Sequence, residues 1–223
     1  MGIMTSREFE LLTIPTIHQN VGSVVDTLLL PQGFVSLKPL QWVRSDDAPI
    51  RQVFEYRQLK GGALAPAWGY SLDFVPHFSG REMKWHRTEK SALLDAFVDG
   101  QRHRDLLLTY MYGVSGLLEN LHHRVTAAVQ MASQFWAKGD TPHRVYSIVE
   151  ELRSEPGSNC FVQLPIANAF CLARNGREAE GRAELEGIMQ DRGHYPSTGL
   201  SEKTIAKVWV AFRDASSTGE GTP

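Results

Sequence analysis

The sequence predicts an α+β protein: an N-terminal helix with a small antiparallel β-meander, followed by an all-α helical bundle. Three observations carry that expectation. Residues 16 to 30 repeat apolar side chains at helical spacing, residues 66 to 78 alternate with a period of two, and from about residue 88 the pattern is helical throughout. The expected division is an α+β domain over residues 1–90, a helical domain over 91–215 and a disordered tail over 216–223.

The first helix is read from Ile17, Val21, Val24, Val25, Leu28 and Leu29, and Pro31 and Gly33 end it. The opening residues to Thr13 lack a clear period and are read as an arm or a short strand. Leu40 to Arg44 and Ile50 to Leu59 are rich in β-branched and aromatic residues, and turn compositions at residues 45–49 and at Lys60-Gly61-Gly62 bound them. In the third strand Trp68, Tyr70, Leu72, Phe74 and Phe78 fall on one side, with Pro76 as an interruption. Ala67, Gly69, Ser71, Asp73, Val75 and His77 fall on the other, the pattern of a half-buried strand with one polar face. Three strands bury a face only beneath a helix, and residues 16–30 supply one.

In the second half Leu107, Met111, Val114, Leu118, Leu121, Val125, Ala128, Ala132 and Phe135 recur at alternating steps of four and three. That is a heptad seam suited to left-handed packing, in a helix expected over residues 102–137 and offering a homodimer interface over 107–135. Gly113 and Gly116 either break that helix or admit a close neighbour. Asp140-Thr141-Pro142 opens the next helix, with Thr141 or Asp140 as its cap. A helical hairpin follows, Phe161 to Arg174 and Arg177 to Gln190 about an Asn175-Gly176 stop. Leu200 and Ile205 bracket Ser201 as a hydrophobic staple, opening a last helix with Val208, Trp209 and Phe212 inside.

Several function classes are disfavoured. Lys and Arg total 23 against 25 Asp and Glu, a formal charge of −2, so the whole chain offers no electrostatic case for nucleic acid. Nucleic-acid binding would need Arg81, Lys84, Arg87, Arg102 and Arg104 on one face. No segment approaches the roughly 20 apolar residues of a membrane span, and the opening lacks a secretory pattern, so a cytoplasmic location is expected. Cys160 and Cys171 make neither a disulfide framework nor a zinc knuckle. Phosphate-binding, dinucleotide and nucleophile-elbow motifs are absent, and no cofactor is expected. Of the eight histidines, Glu119 and His122 alone have a di-iron-like spacing, but a single copy does not build such a centre, and no metal is expected.

Two clusters remain as candidates. Residues 79–90 gather Arg81, Lys84, His86, Arg87 and Lys90 around Trp85, a composition that clamps an anion or contacts a partner. Its bland counterpart is a solvated loop anchoring Trp85. The polar face of the third strand, with Asp73 and His77, and Glu55 and Arg57 on the strand before it, offers acid–base candidates. Cross-strand ion pairing explains the same residues. Asp73, His77 and Glu55 are therefore the catalytic candidates, and Arg57, Trp85, His86 and Arg87 the ligand- or partner-binding ones.

Pro31-Gln32-Gly33-Phe34, the Trp42 strand, the Phe54–Leu59 strand, Gly69–Phe74 and Trp85-His86 together resemble an uncharacterised bacterial family, a domain of unknown function with an N-terminal α+β module. The resemblance covers residues 16–95 and implies no activity and no catalytic residues. Ala167 to Met189 is similar to a single tetratricopeptide hairpin. The functional expectation is a non-catalytic protein-interaction module with a protein partner. The alternative is an enzyme or binding protein for a small anionic substrate, using residues 81–90 and the polar face of the sheet.

Overall fold

The structure is a computed structural model and describes residues 12–47, 49–79, 82–110, 113–156, 163–190 and 201–217. The opening segment to residue 11, Arg81, Met111, Cys160, Leu200 and the tail from residue 218 lie outside the described residues. Helix α1 (Ile14–Leu29) starts where the Thr13 side chain accepts the Thr16 N–H, with proline in the first turn. It buries Ile17, Val21, Val24, Val25 and Leu29, the stripe read from the sequence. Its end tightens into a 3₁₀ turn, and Gly33 at φ 85° lets the Leu30 carbonyl accept the Gly33 N–H.

The sheet comprises β1 (Val35–Lys38), β2 (Gln41–Asp47), β3 (Ile50–Leu59), β4 (Ala63–Leu72), β7 (Ala96–Asp99) and β8 (Leu108–Thr109). Its order is β1-β2-β3-β4-β7, with β8 pairing antiparallel to β4 through Ala63–Thr109 and Leu64–Leu108. A separate antiparallel hairpin joins β5 (His77–Ser79) to β6 (Glu82–Lys84). The predicted meander is therefore β2, β3 and β4. Gly61 at φ 89° and Gly62 at φ 71° supply the two left-handed residues of the β3–β4 turn.

The third predicted strand is shorter than its alternation suggested: β4 stops at Leu72, and His77 belongs to the hairpin. Its small side is not open either, since every residue from Leu64 to Leu72 is buried. At Gly69 a Cβ would lie 2.1 Å from the Ala96 carbonyl oxygen, so the small residue reports close backbone approach, not solvent.

The helix expected over residues 102–137 is also revised, and its break falls at neither Gly113 nor Gly116. Residues 108–109 are strand, and the helical part is split into α2 (Gly113–Leu118) and α3 (Leu121–Trp136), with the break at Glu119-Asn120. Leu118 is exposed and Leu117 buried in its place, whereas Leu121, Val125, Ala128 and Ala132 keep the seam in α3. The remaining helices are α4 (Pro142–Ser154), α5 (Gln163–Arg174), α6 (Glu178–Gln190) and α7 (Glu202–Ser217). Thr141 caps α4 through the Arg144 N–H, and Gly176 at φ 76° turns the α5–α6 hairpin. Helix α7 continues two residues past 215. Among the described residues no helix is long and apolar enough to cross a membrane.

By packing, the chain forms two compact units, each assembled from three stretches. The first takes Met1–Trp42, Phe54–Trp68 and Val98–Ser133. Its core sets α1 against aromatic residues: Trp42 Nε1 donates to Asp26 at 2.7 Å, and Phe54 lies between Trp42 and Tyr56 at centroid distances of 6.1 and 5.6 Å. The Arg124 guanidinium donates to the Leu107 carbonyl, tying α3 to the segment before β8.

The second unit takes Val43–Val53, Gly69–Phe97 and Gln134–Pro223. Helix α5 is its centre, buried from Leu164 to Ala173 and packed against α4, α6 and α7. Gly181 lets α6 approach so closely that a Cβ would sit 2.4 Å from the Ala169 carbonyl oxygen. Phe170 and Phe212 meet edge to face at 5.5 Å, joining α5 to α7.

Candidate functional site

The densest buried polar cluster described lies in the second unit, where β3 begins, β4 ends and α5 starts. Arg51 enters it from the first residues of β3 and is 5% exposed. A buried guanidinium needs a counter-charge and acceptors for its donors. Asp73, just past β4, supplies both oxygens: Nη2 donates to Oδ2 at 2.9 Å and Nη1 donates to Oδ1. Nη2 also donates to the Arg87 carbonyl at 2.6 Å, and Nη1 to the His86 carbonyl at 3.4 Å. Arg51 thereby pins the Trp85–Arg87 segment to the start of β3.

One turn of chain further on, Asp95 is wholly buried beside β4. It accepts the Leu72 N–H at 2.7 Å and a Gln163 side-chain N–H at 3.0 Å. His86 Nε2 lies 2.7 Å from the oxygen that Leu72 uses. Burial pushes the Asp95 pKa up from the usual carboxylate range, and the His86, Leu72 and Gln163 bonds work against that rise. Gln163 is the first residue of α5 and also donates to the Pro76 carbonyl at 2.8 Å, so one amide spans two segments. His77 is half-buried beside His86, with ring centroids 6.3 Å apart. Nδ1 of both rings is buried without a hydrogen-bond partner.

At the surface of the same segment, the Arg87 guanidinium lies 3.8 Å over the Trp85 ring, and its Nε donates to the Asp73 carbonyl at 3.2 Å. Trp85 is half-buried and Arg87 exposed. The structure thus brings together Asp73, His77, Trp85, His86 and Arg87 of the sequence candidates. Glu55 and Arg57 do not join them: they lie on one face of β3 in the first unit, where Arg57 Nε donates to Glu55 at 2.6 Å and Gln41 donates to Glu55 at 3.0 Å.

Three members escaped the sequence reading: Arg51, Asp95 and Gln163. Asp95 stands in the apolar run Ala92-Leu93-Leu94-Asp95-Ala96-Phe97. A lone carboxylate inside such a run signals a satisfied buried charge, and Arg51 inside β3 carries the same mark. Ser71, expected on an open face, is fully buried, and its Oγ accepts the Leu93 N–H at 3.3 Å.

Chemically the arrangement is a clamp. Both oxygens of Asp73 are engaged by Arg51, and Asp95 is bonded from three sides. The Cys171 thiol, buried in α5, is pushed well above its ordinary pKa by burial and stays protonated. Comparison with family models, with curated proteins and with solved structures gave no match.

Proposed function

We propose that this protein is a non-catalytic interaction module that takes an extended segment of a partner protein by strand addition at β1. The observation that carries this reading is the edge itself. Among the described residues β1 is terminal in the sheet order, and all four of its residues are exposed. Val35 and Leu37, two residues apart and so on one face, are 39% and 38% exposed. A strand edge presents a row of backbone donors and acceptors, and alternate apolar side chains add selectivity for an incoming strand. The polar cluster of the second unit supports the same reading, because both oxygens of Asp73 are taken up by Arg51 and Asp95 is bonded by His86, Leu72 and Gln163.

The test is a photo-reactive residue placed at Leu37 in the full-length chain, with a control at exposed Glu178 on α6. The expected result is a discrete cross-linked species from position 37 alone, lost when Val35→Asp charges the apolar face that Leu37 shares. Equal cross-linking at both positions, or a product indifferent to Val35→Asp, would overturn the reading.

A further inference from the structure

His77 and His86 stand ring against ring, with planes close to perpendicular and one unpartnered, buried nitrogen each. Among the described residues no group of three metal-ligating side chains converges, and this pair gains no third. Its neighbours are instead ones that respond to a proton. Lys84 is the cross-strand partner of His77 in the β5–β6 hairpin. Asp95 holds His86 from the β4 side, the Arg51 guanidinium touches the His86 carbonyl, and Gln163 reaches Pro76 and Asp95 from α5.

We propose that the His77–His86 contact is an acid-operated latch, holding the β5–β6 hairpin at the start of α5 near neutral pH and releasing it as the pH falls. The hairpin is suited to release. It is a sheet of two three-residue strands, outside the main sheet, and the Gln163–Pro76 bond fastens the residue that precedes it to α5. Such ribbons have little stability of their own. A charge placed on His77 in the docked state meets desolvation, the adjacent His86 ring and the Lys84 ammonium, with Asp95 and Gln163 opposing them. Burial is the largest of these effects and lowers the His77 pKa below its ordinary value of 6.5.

The sign follows from linkage. A released hairpin exposes His77 and restores its ordinary affinity for a proton, so release takes a proton up. Docking is therefore undiminished above about pH 6.5 and weakens as the pH drops below it. Asp95 has the opposite sense, because protonation removes its cost of burial at low pH. The control must therefore leave Asp95 in place.

Hydrogen exchange of the full chain, corrected for intrinsic rates, tests the latch at about pH 7.5 and about pH 5.5. The opening equilibrium of amides 77–79 and 82–84 is expected to rise by up to about tenfold in the wild type, the ceiling for one proton over that interval. In His77→Gln it is expected to stay flat. No rise in the wild type, or an equal rise in the variant, overturns the proposal. Should His77→Gln fail to fold, the wild-type ring titration followed by NMR decides. A His77 midpoint below 6.5, shared by the hairpin amide shifts, supports the latch. A midpoint at or above 6.5, or amide shifts following another midpoint, overturns it.

Discussion

Arg51 and Asp73 are 5% and 16% exposed, and the buried guanidinium finds its counter-charge in that carboxylate. Removing one member leaves its partner charged and desolvated, so Asp73→Ala is expected to cost about 3–5 kcal/mol. The Glu55–Arg57 pair makes a useful contrast, with side chains 18% and 35% exposed. Solvent screening holds such a pair to less than about 1 kcal/mol, the expected cost of Arg57→Ala. Urea unfolding midpoints of the two variants check the difference, and similar losses would show that the buried pair is no harder to break. At this scale the sequence was half legible. A cluster of basic residues about Trp85 and a polar set with Asp73 and His77 both stood out by composition. Their buried partners Arg51 and Asp95 did not, because periodicity ranks positions by hydropathy and cannot say which distant carboxylate meets which guanidinium.

The helix signals that proved readable were local chemistry: Thr141 before Pro142, Gly33 after the first stripe, and Asn175-Gly176 between two helices. Each fixes backbone conformation within a few residues, so no knowledge of the remaining chain is needed. The heptad seam failed for the converse reason. Spacing of four and three runs on regardless of where the backbone turns, and here it crosses a strand and two helices. The consequence is a pair of unequal leucines. Leu121 is 4% exposed, and Leu121→Ala is expected to cost about 2–4 kcal/mol. Leu118 is 47% exposed, and Leu118→Ala should change stability by less than about 0.5 kcal/mol. Thermal melts of the two variants read this directly, and equal shifts would restore the uninterrupted seam. In β4 large and small residues do alternate, but both sides of the strand are buried. Gly69 is small because the Ala96–Phe97 backbone lies against it, a contact 27 residues away in sequence that no local pattern encodes.

At the scale of the molecule, 23 basic and 25 acidic side chains leave little net charge. The sequence pI is about 6.4, so mutual repulsion between molecules is weakest there. Light scattering across the pH range is expected to show the strongest self-attraction near that value and relief on either side. A minimum displaced by more than about one pH unit would mean that the folded chain's charge departs from the sum of its side chains. The packing units also cut across chain order, each drawing on three separate stretches, which a linear reading of composition does not reveal. One of those stretches sets a timetable. Helix α5, buried from Leu164 to Ala173, leaves the ribosome before α6 and α7 exist to cover it, and Phe170 waits 42 residues for Phe212. During vectorial synthesis the most adhesive helix is thus left bare until the last one emerges, so translation stalled in that interval would expose a sticky intermediate to chaperones and proteases.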